Sequence, residues 1–198
     1  MNFEKAEMIR KKLQKSSVGI AGAGGLGSNV AVSLARVGIG KIVIVDFDRV
    51  EESNLNRQYY FRDQIDMIKV EALKENIHRI NKSVKVETFN FKLKKNNMHE
   101  KFQNVDVVVE ALDKAKIKTT FIEEIMQKLP KIPVVCCSGV SGYGHSDRIK
   151  TKKLGNLYIV YDEDAKDSNK DVLTAPRVIL MANWQANIVL EILLGEDK

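Results

Sequence analysis

Cysteine is nearly absent: of 198 residues only Cys136 and Cys137 carry a thiol. They are adjacent in a β-like run, where successive side chains face opposite ways. That spacing makes them a poor pair for a disulfide or a zinc site and favours buried thiols acting as small hydrophobes. No Cys-x-x-Cys pair occurs, so no zinc is expected. No uninterrupted apolar run approaches the roughly 20 residues that span a bilayer, which argues against a membrane role. Residues 1–15 are charged and helical in pattern, unlike a signal peptide, and a cytoplasmic protein is expected. Low-complexity linkers and internal repeats are also missing. There is no basic block: Lys+Arg 32 against Asp+Glu 26 gives +6, but the charges are interspersed along helices, which argues against a nucleic-acid partner.

What is present is a 44% hydrophobic chain, enough to bury one domain's core over residues 1–198. Phe3, Ala6, Ile9 and Leu13 recur at helical spacing and predict an N-terminal helical arm within residues 1–15. Strands are predicted at Ser17 to Ala21, Lys41 to Asp46, Val84 to Phe89, Val105 to Glu110 and Ile132 to Cys137. Helices are predicted after the glycine turn up to Arg36, from Ile65 through Ile80, and over about 115–128. The alternation predicts an α/β, Rossmann-like, doubly wound and mostly parallel sheet with helices on both faces. Two β-like pieces flanking Leu154-Gly155-Asn156 predict an edge hairpin, and an apolar helix from about Pro176 to Leu194 closes the chain.

Gly22-Ala23-Gly24-Gly25-Leu26-Gly27 follows the first strand and opens a helix, the context in which G-x-G-x-x-G has mechanical meaning. Without side chains, backbone N–H groups and the helix N-terminus approach a phosphate. Asp46, at the tip of the second strand, is placed to accept hydrogen bonds from ribose hydroxyls. Gly22, Gly24, Gly25, Gly27 and Asp46 thus predict a nucleotide site, and serve NAD and ATP equally well. A triphosphate carries more negative charge, so the added cations Arg57 and Lys69 favour ATP.

The stretch Asp46-x-Asp48-x-Val50-Glu51-x-Ser53-Asn54-Leu55-Asn56-Arg57-Gln58, together with the glycine turn, resembles the ThiF/MoeB family related to ubiquitin-activating enzymes. The likeness continues through Ala111-Leu112-Asp113, Ser138-Gly139-x-x-Gly142-Tyr143-Gly144 and Ala175-Pro176-Arg177-Val178, and in these segments is nearest the short ThiF-like branch. The resemblance implies an adenylyltransferase. Its substrates would be ATP and the C-terminal glycine carboxylate of a ubiquitin-like sulfur carrier protein ending in Gly-Gly, ThiS-like and serving the thiamine thiazole pathway. It further implies that Gly25 and its neighbours contact phosphate, that Asp46 holds the ribose, that Asn54, Arg57 and Lys69 hold the triphosphate, and that Asp113 manages magnesium. Asp113 follows a buried strand at its carboxyl end, where open α/β sheets bind ligands; a helix N-cap is its structural alternative.

The chain departs from the family pattern at several points. Asp66 replaces a usual glycine, and Lys114 and Lys118 replace an asparagine and an arginine. No cysteine lies in the 162–171 loop, which speaks against sulfur transfer through a covalent cysteine. A homodimer is expected from the resemblance; Arg10 is the only arginine of the arm available to reach a partner's site, but its flanking residues do not match the family motif and it reads as a solvated helix residue. His78, His145, Met181 and Trp184 read as structural. An NAD(P)-dependent oxidoreductase and a non-catalytic nucleotide- or carrier-binding relative remain alternative readings.

Overall fold

The computed structural model describes residues 3–164 and 171–195. Seven strands form one sheet: β1 (Ser17–Ala21), β2 (Lys41–Asp46), β3 (Lys85–Asn90), β4 (Val107–Glu110), β5 (Val134–Ser138), β6 (Ile149–Leu154) and β7 (Leu157–Asp162). Their spatial order is β3-β2-β1-β4-β5-β7-β6. Every pairing is parallel except β6 with β7, the antiparallel hairpin that finishes one edge. The order in which successive strands are added reverses between β1 and β4, the switch point at which such sheets open a crevice at the strands' carboxyl ends.

Among the described residues five α-helices accompany the sheet: α1 (Phe3–Leu13), α2 (Gly25–Arg36), α3 (Lys69–Ile80), α4 (Ala115–Lys128) and α5 (Ala175–Leu194). The central strands are apolar throughout because they are covered on both sides. On one side the core joins α2, α3 and α5 through Val30, Leu34, Leu73, Ile77, Met181 and Val189. On the other, α4 shares its cover with the irregular segment 91–106, through Phe102, Phe121, Ile125 and Met98. Glu124 of α4 anchors that segment by accepting from the amides of Asn96 (2.6 Å) and Met98 (2.8 Å).

Helix α5 is long and apolar enough to cross a membrane by length and composition. Here it is a core helix, with Arg177 and Gln185 buried among its apolar residues.

Some predicted boundaries shift. The helix expected from Ile65 begins at Lys69, because Asp66 adopts a left-handed backbone (φ 68°) that a right-handed helix cannot include. Val105 and Asp106 lie outside β4: the Asp106 carboxylate instead accepts from the Ser17 amide at 2.7 Å, closing the start of β1. The loop after β2 contains two short 3-10 turns, Glu52–Asn54 and Arg62–Gln64. Of the 162–171 loop, residues 165–170 lie outside the described residues.

Candidate active site

Four glycines shape the turn after β1, and each answers a different demand. A Cβ on Gly27 would lie 1.9 Å from the Gly22 carbonyl oxygen, so this glycine lets α2 pack onto the turn. Gly22 has φ 99°, and a Cβ there would lie 2.6 Å from the Ala111 carbonyl oxygen; it lets the turn after β4 abut the turn after β1. Gly25 faces Val178 of α5 in the same way, at 2.9 Å. Gly24, the N-cap of α2, has open space, its nearest neighbour being the Gln58 amide at 3.9 Å. It is the position at which the missing side chain leaves room for a ligand.

At the tip of β2, Asp46 accepts from the Ala23 amide (2.6 Å) through one oxygen and from the Asp48 amide (2.7 Å) through the other. Burial pushes its carboxyl above the usual range, an effect these two amides and Lys69 partly offset. Buried Tyr60 donates its hydroxyl to the Ala23 carbonyl (2.7 Å), tying the glycine turn to the loop after β2, and burial holds that phenol well above its ordinary value.

Lys69 is the first residue of α3; its stem is buried and its ammonium lies 3.5 Å from Asp48. Asn54 closes a capping box by accepting from the Glu51 amide at 3.2 Å. Arg57 is oriented by the Ser53 carbonyl (3.0 Å) and the Asn56 side chain (2.8 Å). Two buried polar residues of α2 hold this stretch in place. Asn29 donates to the carbonyls of Gly25 (2.7 Å) and Arg57 (3.1 Å), and Ser28 accepts from the Tyr59 amide (3.0 Å).

These groups line a single cleft of about 710 Å³ at the switch point: Gly22, Gly24, Gly25, Asp46, Asn54, Arg57, Lys69 and Asp113 all reach its wall, while Gly27 lies beneath it. Of the rest of the lining, Gln58, Ser138 and Gly139 belong to the family likeness without an assigned role, whereas Phe91, Lys92 and Leu93 carry no sequence signal. Phe47, with Lys92 stacked over its ring at 4.8 Å, and Phe91 and Leu93 form one rim. Ser138 to Ser141 and Cys137 form the other. Lys92 to Leu93 lie in the irregular segment after β3, which carries no periodicity to announce it. Gln58 also lines the cleft, and its buried Oε1 accepts no hydrogen bond from the described residues, so it could accept one from a ligand.

Asp113 follows β4 in an exposed bend, and its carboxylate engages no partner among the described residues. It does not cap α4, whose N-cap is Lys114. Among the described residues no group of three His, Cys, Asp or Glu side chains could hold a metal ion. An ion at Asp113 would therefore take most of its oxygens from phosphate and water, the habit of magnesium in nucleotide sites.

The residues read as structural lie away from the main cleft. Arg10 pairs on the arm's surface with Glu7 at 2.8 Å; His78 contacts the Val84 carbonyl at 3.3 Å; and the Trp184 indole donates to Thr151 at 2.9 Å. Met181 is fully buried. His145 sits in a left-handed turn on a separate 250 Å³ cavity.

Strand order, switch-point cleft and glycine turn define a Rossmann-type α/β protein with its main cleft at the carboxyl ends of its parallel strands. Within that class the chain belongs to the ThiF family, whose model matches residues 2–198. It is 41% identical over 98 residues to ubiquitin-like modifier-activating enzyme 5 of Culex quinquefasciatus, covering 50% of this chain and 24% of that protein. It is 34% identical over 148 residues to adenylyltransferase and sulfurtransferase UBA4 of Vanderwaltozyma polyspora, covering 74% of this chain and 34% of that one. The chain thus spans a quarter to a third of these relatives. Among solved structures it resembles E. coli tRNA N6-threonylcarbamoyladenosine dehydratase TcdA, in complex with ATP (TM-score 0.86, 21% identity, 95% of this chain and 89% of that one). It also resembles PaaA (TM-score 0.71, 27% identity, 97% and 60%).

Proposed function

We propose that the protein uses ATP to adenylate a carboxylate, and that its substrate is the C-terminal glycine of a ubiquitin-like sulfur carrier, ThiS-like and serving thiazole formation. The observation that carries this reading is the convergence of Gly24, Asp46, Arg57, Lys69 and Asp113 on one cleft. A relative crystallised with ATP and relatives named as modifier-activating enzymes and adenylyltransferases support it.

In this reading the glycine turn and the N-terminus of α2 receive phosphate. Asp46 retains lone pairs for ribose hydroxyls beyond the two amides it already binds. Arg57 and Lys69 hold the triphosphate. The carrier carboxylate, ionised at neutral pH, attacks the α-phosphorus; the bond to the bridging oxygen breaks and pyrophosphate leaves, giving a carrier acyl-adenylate. Arg57 and Lys69 stabilise the charge that builds on the leaving group. Magnesium held with Asp113 would supply further charge neutralisation on the phosphates. No cysteine acts in the reaction as proposed, and the active form is a homodimer.

Pyrophosphate exchange tests this. Labelled pyrophosphate should enter ATP only with magnesium and a carrier ending in Gly-Gly, and Asp113→Asn should abolish the exchange with the fold intact. ATP binding without exchange, tried with several such carriers, would favour a non-catalytic relative. Binding of NAD in place of ATP would overturn the reading.

A further inference from the structure

The turn that presents Asp113 is fixed at the residue before it from both sides. The Leu112 N–H donates to Glu110 Oε1 at 2.7 Å, and the Leu112 carbonyl accepts from Lys118 Nζ at 3.0 Å. That ammonium also donates to Glu110 Oε1 at 2.9 Å and stands 2.8 Å from Oε2, so one ion pair takes both main-chain groups of Leu112. Glu110 is fully buried, and Lys118 of α4 is largely so while still reaching the cleft wall. From the other side the turn is braced by main chain: the Ala111 amide donates to the Ala21 carbonyl at 2.9 Å, beside the close approach to Gly22. Among the described residues the Asp113 carboxylate engages no partner, so its placement follows from this turn.

Burying an ion pair is a poor route to stability, since apolar side chains of like volume fill such a space at equal or lower cost. An apolar pair could not satisfy the Leu112 amide and carbonyl. We propose that Lys118 is a positioning residue: by bridging the Glu110 carboxylate and the Leu112 carbonyl it holds the turn in the form that presents Asp113 to the cleft.

This inference rests on Asp113 as the magnesium-holding carboxylate, and the test separates the two. The full chain and its Lys118→Met, Lys118→Arg and Asp113→Asn variants are compared by hydrogen exchange of the ligand-free 110–115 segment. They are also compared by ATP affinity with and without magnesium. Lys118→Met should speed exchange of the Leu112 amide at least about tenfold. It should also lose about 10–100-fold of the magnesium-dependent gain in ATP affinity, as outer partners of a metal ligand typically do, while magnesium-free affinity changes less than about threefold. Lys118→Arg, with donors enough for both acceptors, should recover both readouts to within about threefold.

Unchanged exchange and an unchanged magnesium gain in Lys118→Met would overturn the proposal. So would equal losses with and without magnesium that Lys118→Arg does not rescue, the mark of a merely structural residue. If Lys118→Met fails to fold, Glu110→Gln, which keeps the acceptor for Leu112 but releases the ammonium, should show the same selective loss of the magnesium gain. If Asp113→Asn keeps the full magnesium gain, the reading of Asp113 falls, and exchange alone decides whether Lys118 orders the turn.

Discussion

Burial pushes both adjacent thiols, Cys136 and Cys137, up to about 12, with the Glu110 carboxylate adding to the effect and Lys118 opposing it. Against an ordinary thiol near 8.5–9, the thiolate fraction at pH 8 falls by roughly a thousandfold. Iodoacetamide should therefore label the folded chain at pH 8 roughly a thousandfold more slowly than the chain in denaturant, even though Cys137 lines the cleft. Labelling at the unfolded rate would show the thiols to be accessible. Because the folded value is raised, the neutral thiols contribute stability that is complete below the unfolded pKa of about 8.5. That contribution is lost as pH rises through about 12. Asp66 presents a different strain. It occupies φ 68°, donates its amide to the Val50 carbonyl, accepts at its own carbonyl from the Arg49 guanidinium, and is exposed. Aspartate tolerates this region better than most residues but not without cost, and glycine has no such cost. Asp66→Gly should stabilise by about 0.5 kcal/mol and Asp66→Val destabilise by about 1–2 kcal/mol in urea unfolding. A stabilising valine would contradict the conformational argument.

At the scale of elements, the glycine turn divides into three positions crowded by packing, Gly22, Gly25 and Gly27, and one, Gly24, open to the cleft. Gly27→Ala places a methyl group against the Gly22 backbone, which cannot yield without separating β1 from α2. It should cost about 3 kcal/mol or more. Gly24→Ala meets only the Gln58 amide, at an ordinary contact distance of 3.9 Å, and should leave the melting temperature nearly unchanged while weakening ATP binding at least tenfold, as calorimetry would show. Equal loss of stability in both variants would refute the division. The sequence motif could not make this distinction, because spacing reports that a position lacks a side chain but not which neighbour requires it. Strands β1 and β2 were legible as apolar runs between turn residues, and Asp46, Arg57 and Lys69 as polar residues beside them. The start of α3 was not, since Ile65 and Ile68 continue the helical spacing through Asp66, whose left-handed backbone sequence does not display. The rim of Phe91 to Leu93 was hidden for a related reason: the 91–106 segment is ordered by a distant carboxylate, Glu124, rather than by a local pattern.

Across the whole molecule, α5 acts as a tie. The Lys12 ammonium of α1 donates to its last carbonyl, Leu194, at 2.9 Å. Midway, Gln185 donates to the carbonyls of Glu110 (3.2 Å) and Val135 (3.3 Å), joining the helix to β4 and β5. Near its start, Arg177 pairs with Asp162 at the end of β7 and donates to the Gly144 carbonyl at 3.3 Å. Both side chains of that pair are almost wholly buried, and Asp162 lines both the main cleft and the smaller cavity. The edge hairpin is thereby locked to the helix that packs under the glycine turn. Removing one partner leaves the other charge buried without compensation, so Arg177→Ala should destabilise by about 3–5 kcal/mol. Replacing both, as Arg177→Met with Asp162→Leu, removes the desolvation cost together with the attraction and should cost about 1 kcal/mol or less. A cycle of Arg177→Met, Asp162→Leu and the double variant, followed by urea unfolding, measures the coupling, and losses that simply add in the double variant would show that the pair does not couple the hairpin to the helix.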